Sequence, residues 1–419
     1  MRNRKAKKVT VVNEKMLLVA VDIGKSVNHG YMRIPHGKEV KPFSFHNTGH
    51  GFNKCWRKIC QFKREQGLEE VVVGFESTGS YAEPLCHFLR KRGVQLVQTN
   101  PMHTKRLKEL SGNSPEKSDK KDPRVIADII MLGHALSVII PEGASAELRR
   151  LTQARERAIK DRTADGNRLH DRMFVLFPEF LEIMKGTSTK SALYLMLNHP
   201  TPEDIVHLGV ECLAARLKKV SRGKLGKERA CELFDAARKS IGIDEGKQSM
   251  LMEIEHLVCR IEGAEHFIKN LEKHMERYLE HIPYSHCILS IKGIGIITTA
   301  GIIGEAGDFR GYSTIKEVSK LAGFDLYEVS SGKHKGQRHI SKRGRPLMRK
   351  QLYYAAVNTV GSNGIMHDYY HTMLDRGMPK TKALIAVARK LLKLIFALVR
   401  DTTKYVENFE HNRKSKSAA

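Results

Sequence analysis

Two stretches of this chain are apolar without a break, and both stop at an acid. Met16-Leu-Leu-Val-Ala-Val-Asp22 runs on into Ile23-Gly24, and Val71-Val-Val-Gly-Phe-Glu76 into Ser77-Thr-Gly79. An unbroken run of this length predicts a strand buried on both faces, which requires a sheet covered by helices. An acid at the end of such a strand is costly unless a cation or a partner takes up its charge. Asp22 and Glu76 are therefore the first candidates for function.

The flanking pattern supplies the rest of a sheet domain. Extended stretches follow near 29–34 and 39–46, punctuated by Pro35, Gly37 and Pro42. Phe52, Trp56, Ile59, Cys60 and Lys63 fall at helical spacing across 50–66. Then come a strand at 70–76, a helix at 80–92, a strand at 94–98 and a helix from Pro101 to about 110. The order β-β-β-α-β-α-β-α predicts an α/β domain with a mixed sheet, the order of a ribonuclease-H-like fold. Residues 111–121 are polar and read as a loop. Two more acids stand three apart in Ser118-Asp119-Lys-Lys-Asp122, and a helix is expected from Asp122-Pro123. Asp is a good N-cap and Pro a good first helical residue, so Asp122 caps this helix, binds a cation, or does both. Asp22, Glu76, Asp119 and Asp122 together stand where a two-metal nuclease needs acids.

Two long helices are expected next. From Ala144 to about Phe177, Leu148, Leu151, Ala154 and Ala158 mark an apolar stripe that Leu169, Met173 and Leu176 resume, until Pro178 stops it. From about 247 to 282, Ile261, Ala264, Ile268, Leu271, Met275, Tyr278 and Ile282 step three and four in alternation, the seam of a coiled coil. The two helices are expected to pair antiparallel, within one chain or between chains. Residues 178–245 form a helical insert between them that contains Ser221-Arg-Gly.

The C-terminal third opens on Ile288-Leu-Ser-Ile-Lys292-Gly293-Ile-Gly295, read as a helix-hairpin-helix whose glycines let backbone N–H groups approach a phosphate, or as an ordinary turn between helices. Beyond it, Lys333, Lys335, Arg338, Lys342, Arg343, Arg345, Arg349 and Lys350 crowd a glycine-rich stretch suited to a phosphate backbone. Ser330 and Ser331 start that stretch. A serine is a weak nucleophile until a neighbour takes its proton or cations steady the attacked phosphoryl group, and a turn serine is the plain alternative. Helices about 346–361 and 380–405 read as packing, and His367 and His371 as surface residues.

Composition narrows the partner. Formal charge is +26, from 72 basic and 46 acidic residues, which points to a polyanion and first to nucleic acid. Seven dispersed cysteines include no Cys-x-x-Cys, so neither a zinc knuckle nor a redox pair is indicated, and reduced thiols in a cytoplasm are expected. The basic N-terminus lacks a signal-peptide core, and no apolar run approaches the roughly 20 residues of a membrane span, so a cytoplasmic protein with no membrane partner is expected.

Taken together, these residues resemble the DEDD-type transposases of the insertion-sequence-110 family, including the related pilin-gene invertases. The resemblance rests on Val21-Asp22-Ile-Gly24, Phe75-Glu76-Ser-Thr-Gly79 and Lys117-Ser-Asp119-Lys-Lys-Asp122. It extends to Asn100-Pro101, Asn167-Arg-Leu-His170, Phe177-Pro178, Ser221-Arg-Gly, Leu-Ala-Gly at 321–323, Ser-Gly at 331–332 and Ser-Lys-x-Gly at 341–344. Pro123 departs from it, since the family has Ala after the last Asp. The resemblance implies a RuvC-like, ribonuclease-H-like domain, one or two Mg²⁺ ions on Asp22, Glu76, Asp119 and Asp122, and Ser331 attacking DNA to form a phosphoserine link. Ser330 is the runner-up. It also implies a structured non-coding RNA that pairs with donor and target DNA.

The expected organisation is a basic tail at 1–15, the RuvC-like catalytic domain at 16–143, coiled-coil helices at 144–283, a C-terminal transposase domain at 284–405 and a tail at 406–419. Donor and target DNA are the expected partners, contacted by Lys292, Gly293, Gly295, Lys333, Lys335, Arg338, Lys342, Arg343 and Arg345. A dimer or tetramer through the coiled coil is expected. The rival readings are a junction-resolving metal nuclease, a DNA invertase, and a non-catalytic nucleic-acid scaffold.

Overall fold

Strand β1 (Met16–Asp22) buries its first six residues completely or nearly so, and the remaining elements follow from how its two faces are covered. The structure is a computed structural model that describes residues 13, 15–35, 37–76, 79–111, 122–328, 336 and 338–407 of the chain. The tails expected at 1–15 and 406–419 fall almost wholly outside these residues. After β1 come β2 (Val27–Arg33), β3 (Glu39–His46), α1 (Gly49–Glu65), β4 (Glu70–Glu76), α2 (Glu83–Arg90), β5 (Gln95–Thr99), α3 (Pro101–Ser111), α4 (Asp122–Met131) and β6 (Leu136–Ser137). Helices α5 (Gly143–Leu176), α6 (Pro178–Met184), α7 (Lys190–Asn198), α8 (Pro202–Val220), α9 (Lys227–Ala237), α10 (Lys247–Glu280), α11 (Ser285–Leu289) and α12 (Ile296–Ala306) follow. Helix α13 (Ile315–Ala322) then leads to a small hairpin, β7 (Leu326–Tyr327) and β8 (His339–Ile340), before α14 (Pro346–Val360), α15 (Ile365–Asp375) and α16 (Lys380–Asp401).

The described residues form two compact units, one of residues 1–141 with 306–349, the other of 142–305 with 350–419. In the first, a mixed sheet runs in the order β3-β2-β1-β4-β5-β6. β1 is antiparallel to β2 and parallel to β4, and β4 is parallel to β5. The expected β-β-β-α-β-α-β-α order is present; the two-residue edge strand β6 was not anticipated. Side chains alternate across a strand. Leu17, Val19 and Val21 pack with Phe52, Cys55 and Ile59 of α1 and Leu85 and Leu89 of α2. Met16, Leu18 and Ala20 face Ile126, Ala127 and Ile130 of α4. Each such Leu, Val or Ile contributes about 1.5–3 kcal/mol by leaving water. Gly74 of β4 lets α4 lie close: a Cβ there would stand 2.1 Å from Ile130 Cδ1.

The same unit contains the β7–β8 hairpin, and two glycines fix its base. Gly323 ends α13 at φ +70. Lys342 N donates to Gly323 O at 3.0 Å and Arg345 N to Leu321 O at 2.7 Å. A Cβ on Gly344 would meet Leu321 O at 2.3 Å and Gly323 N at 2.5 Å. Leu-Ala-Gly at 321–323 and Ser-Lys-x-Gly at 341–344 are thus the two halves of one backbone clamp. Arg349 Nη1 donates to Ala322 O at 2.9 Å and Arg345 Nη2 to Ile139 O at 2.7 Å.

The second unit is helical. α5 and α10 pack along each other within the chain, and their ion pairs give the direction: Arg155–Glu272 at 2.7 Å, Arg162–Glu265 at 3.8 Å and Asp165–Arg260 at 3.0 Å. Residue numbers rise on one helix as they fall on the other, so the pair is antiparallel. Ile261, Ile268, Leu271 and Met275 are buried in α10. Ala264 and Tyr278 are half-buried, and Leu279 takes the buried position beside Tyr278. α6 to α9 close a core of their own, with Phe177, Phe180, Leu195, Ile205, Leu217 and Leu233 against Leu169, Met173, Ile254 and Leu257 of the long pair. Thr201 and Asp204 cap α8 reciprocally. Among the described residues no helix is long and apolar enough to cross a membrane.

Candidate active site

The strand alternation that builds the sheet also aims three acids at one place. Asp22 closes β1 on the parity of Leu18 and Ala20, which is the α4 face. Glu76 closes β4 on the parity of Val72 and Gly74, again the α4 face, one step beyond the register pair Val21↔Phe75. Asp122 is the first residue of α4. Two adjacent parallel strands and one helix therefore bring Asp22, Glu76 and Asp122 together.

Their electrostatics record this closeness. Burial pushes the Asp22 carboxyl above its ordinary value, and repulsion from Asp122 and then Glu76 adds to the shift, while His29 and Lys108 oppose it. His29 of β2 is directly opposite Asp22 in the antiparallel register, and its Nδ1 lies 3.0 Å from Ser44 Oγ. Lys108 of α3 places Nζ 2.6 Å from Asp122 Oδ2. Neither His29 nor Lys108 is marked in the sequence.

The turn behind Asp22 is held tightly. Asn28 is fully buried, accepts from Gly24 N at 3.1 Å and donates to Asn47 Oδ1 at 3.3 Å. Asn47 Nδ2 returns to Gly24 O at 3.3 Å. A Cβ at Gly24 would stand 2.0 Å from Val27 O, so the turn needs glycine. On the other side, Thr99 of β5 is paired with Glu76 and is buried.

The other sequence candidates fall in several places. Asp119, Ser330, Ser331, Lys333 and Lys335 lie outside the described residues. Arg338 is exposed and its Nε pairs with Glu328 at 3.0 Å across the hairpin end. Lys342 and Arg343 are exposed at the hairpin base, and Arg345 is half-buried on Ile139. His103 of α3 meets His134 edge to face at 5.9 Å. Burial, then the nearby His134, Arg343 and Arg106, lower its pKa. Lys292 is exposed in the second unit. Gly293 there has φ +92, and a Cβ would lie 3.1 Å from Thr359 Cα of α14; its glycine is accounted for by packing. Gly295 is open.

The donor chemistry, carboxylate oxygen, is that of a hard divalent cation. Carboxylate oxygens on one side of the sheet, one of them half-buried and repelled by the other two, suit Mg²⁺. Among the described residues no three His, Cys, Asp or Glu side chains close to metal-holding distance, and Lys108 already stands on Asp122.

A transposase family model, that of the IS110-type DEDD transposases, matches residues 19–178, the stretch containing all four candidate acids. The model of the transposase IS116/IS110/IS902 family matches residues 285–371, which includes the hairpin. An uncharacterized 43.6 kDa protein of insertion element IS110 from Streptomyces coelicolor is 22% identical over 392 residues, covering 93% of this chain and 95% of that protein. An uncharacterized 44.8 kDa protein of insertion element IS116 from Streptomyces clavuligerus is 24% identical over 336 residues, 80% and 83% of the two. Among solved structures, T. thermophilus RuvC in complex with a Holliday junction substrate aligns over 29% of this chain and 99% of that one, with 15% identity and a TM-score of 0.22. The chain belongs to the IS110 family of DEDD transposases.

Proposed function

We propose that this transposase cuts and rejoins DNA to move its own insertion element, using an acidic Mg²⁺ site and a serine nucleophile. The observation that carries the reading is the convergence of Asp22, Glu76 and Asp122 on the α4 face of the sheet. With Asp119 they would hold one or two Mg²⁺ ions. When bound, Mg²⁺ supplies positive charge to the scissile phosphate and to the departing oxygen.

The chain's own residues do the rest. Ser331 Oγ attacks phosphorus, an Oγ–P bond forms and the P–O3′ bond breaks. The serine proton passes to solvent, and the freed 3′ oxygen takes one up. In the reverse sense, a 3′-hydroxyl from another strand attacks the phosphoserine and Oγ regains its proton, so no external energy source is needed. Lys333, Lys335, Lys342 and Arg343 balance charge on the phosphoryl group. Support for pairing serine with acids comes from the hairpin: its described flanks, Glu328 and Arg338, belong to the compact unit that holds the acids. Ser330 is the second choice of nucleophile. Partner DNA follows from family kinship and the +26 charge, which suits backbone contact, and an element-encoded guide RNA that selects sequence by pairing is inferred from kinship alone. A dimer or tetramer through α5 and α10 belongs to the same reading.

End-labelled DNA carrying the element's junction, incubated with protein, guide transcript and Mg²⁺, tests this on a denaturing gel. A covalent protein–DNA band that Ser331→Ala and Asp22→Asn both lose, with binding retained, is expected. Cleavage with no covalent band would replace the serine chemistry with that of a metal nuclease.

A further inference from the structure

The acid site carries a cation of its own. Lys108 reaches from α3 to Asp122 at 2.6 Å, with its side chain 35% exposed and that of Asp122 16% exposed. Among the described residues, Lys108 and His29 are the groups whose charge offsets Asp22. The lysine ammonium therefore stands among the same carboxylates that would ligate a metal.

The choice of lysine matters. An arginine fork grips a carboxylate through two parallel bonds and stays; a lysine is a strongly hydrated point charge on a flexible stem. Asp165, 2% exposed, is held by arginines instead: it accepts from Arg168 Nη1 at 2.9 Å and Arg260 Nε at 3.0 Å. At Asp122 the chain uses a lysine whose stem already touches water, so the ammonium can swing out while α3 stays in place.

We propose that Lys108 is a resident counterion that competes with the divalent metal: it holds Asp122 beside Asp22 while the site is empty and leaves as the ion enters. This rests on the reading of Asp22, Glu76 and Asp122 as ion ligands. Lys108 is then a positioning residue. It sets the concentration at which the site loads and offsets the repulsion between Asp122 and Asp22 while the site is empty.

Thermal melting of the full chain against Mg²⁺ concentration, starting from EDTA, tests this without reference to activity. Wild-type, Lys108→Met, Lys108→Arg and Asp22→Asn are compared. In EDTA, Lys108→Met melts below wild-type, because Asp122 has lost its partner. Its half-saturating Mg²⁺ concentration falls about three- to tenfold, and that of Lys108→Arg rises, in keeping with a factor of ten per 1.4 kcal/mol. If Lys108→Met fails to fold in EDTA, the rise in Lys108→Arg carries the test alone. Unchanged or weaker Mg²⁺ response in Lys108→Met, or unchanged response in Lys108→Arg, overturns competition and leaves the acid site standing. A full Mg²⁺ response in Asp22→Asn, or none in wild-type, removes the acid site itself and the counterion with it.

Discussion

Asp22 and Asp165 are both aspartates withdrawn from water, and the chain treats them in opposite ways. Asp165 in α5 is 2% exposed, and two arginines, Arg168 and Arg260, take up its oxygens. Asp22 at the end of β1 is half-buried and meets two like charges, Asp122 and Glu76. In the helical unit the charge is closed by the chain itself. In the sheet unit burial and two neighbouring acids raise the Asp22 pKa, and among the described residues only the weaker influences of His29 and Lys108 oppose them. On the proposed function, that difference separates an acid that holds structure from one kept for chemistry.

Removing each acid should therefore act on different quantities. Asp165→Ala removes a buried carboxylate from two arginines that are themselves about half exposed, and is expected to cost about 1.5–3 kcal/mol in urea unfolding. A loss below about 1 kcal/mol, typical of an exposed pair, would break the contrast. Asp22→Asn is expected to lower strand cleavage by a factor on the order of 10²–10³, the size seen when one preorganised charge-stabilising group is lost. Its melting temperature in EDTA should stay level or rise, because a neutral amide relieves repulsion with Asp122 and Glu76. A clear fall would make Asp22 a structural acid after all.

The comparison also depends on how closely α4 lies on the sheet. Gly74→Val places a side chain where Ile130 Cδ1 stands 2.1 Å from a Cβ. Overpacking of this kind costs about 1–3 kcal/mol, read by denaturant unfolding. Since α4 carries Asp122, the variant should also respond less to Mg²⁺. The smallest effect concerns pH. His103 is held below its ordinary value of 6.5 by burial and neighbouring cations, so the unfolded chain takes up its proton first. Its contribution is complete above pH 6.5 and is lost as pH falls towards the folded value. His103→Gln should flatten the acid side of the stability profile below pH 6.5, read by urea unfolding at a series of pH values.

Much of the sheet was legible because a strand buried on both faces needs an apolar residue at nearly every position. The runs ending at Asp22 and Glu76 satisfy that, so both the strands and their terminal acids stand out. Asp122 was legible through Asp-Pro at a helix start. His29 was not, because its place opposite Asp22 depends on the β1–β2 register, which nothing within Val27–Arg33 specifies. Lys108 was hidden among the other cations of α3. Asp165 sits in a charged stretch, and its burial comes from α10, with Arg260 95 residues away. Gly323 and Gly344 were visible as motifs, yet the reason for them, backbone meeting backbone, needs the fold. For Gly293 too, the φ of +92 and the close approach of α14 emerge only in the fold.

The central claim is that carboxylates from β1, β4 and α4 share a divalent ion. Anomalous diffraction from crystals grown with Mn²⁺ reads this directly. The account predicts a peak at coordination distance, about 2.0–2.3 Å, from oxygens of Asp22 and Asp122, with Lys108 withdrawn from Asp122. A map with no peak there at saturating Mn²⁺, and Lys108 still on Asp122, would contradict it.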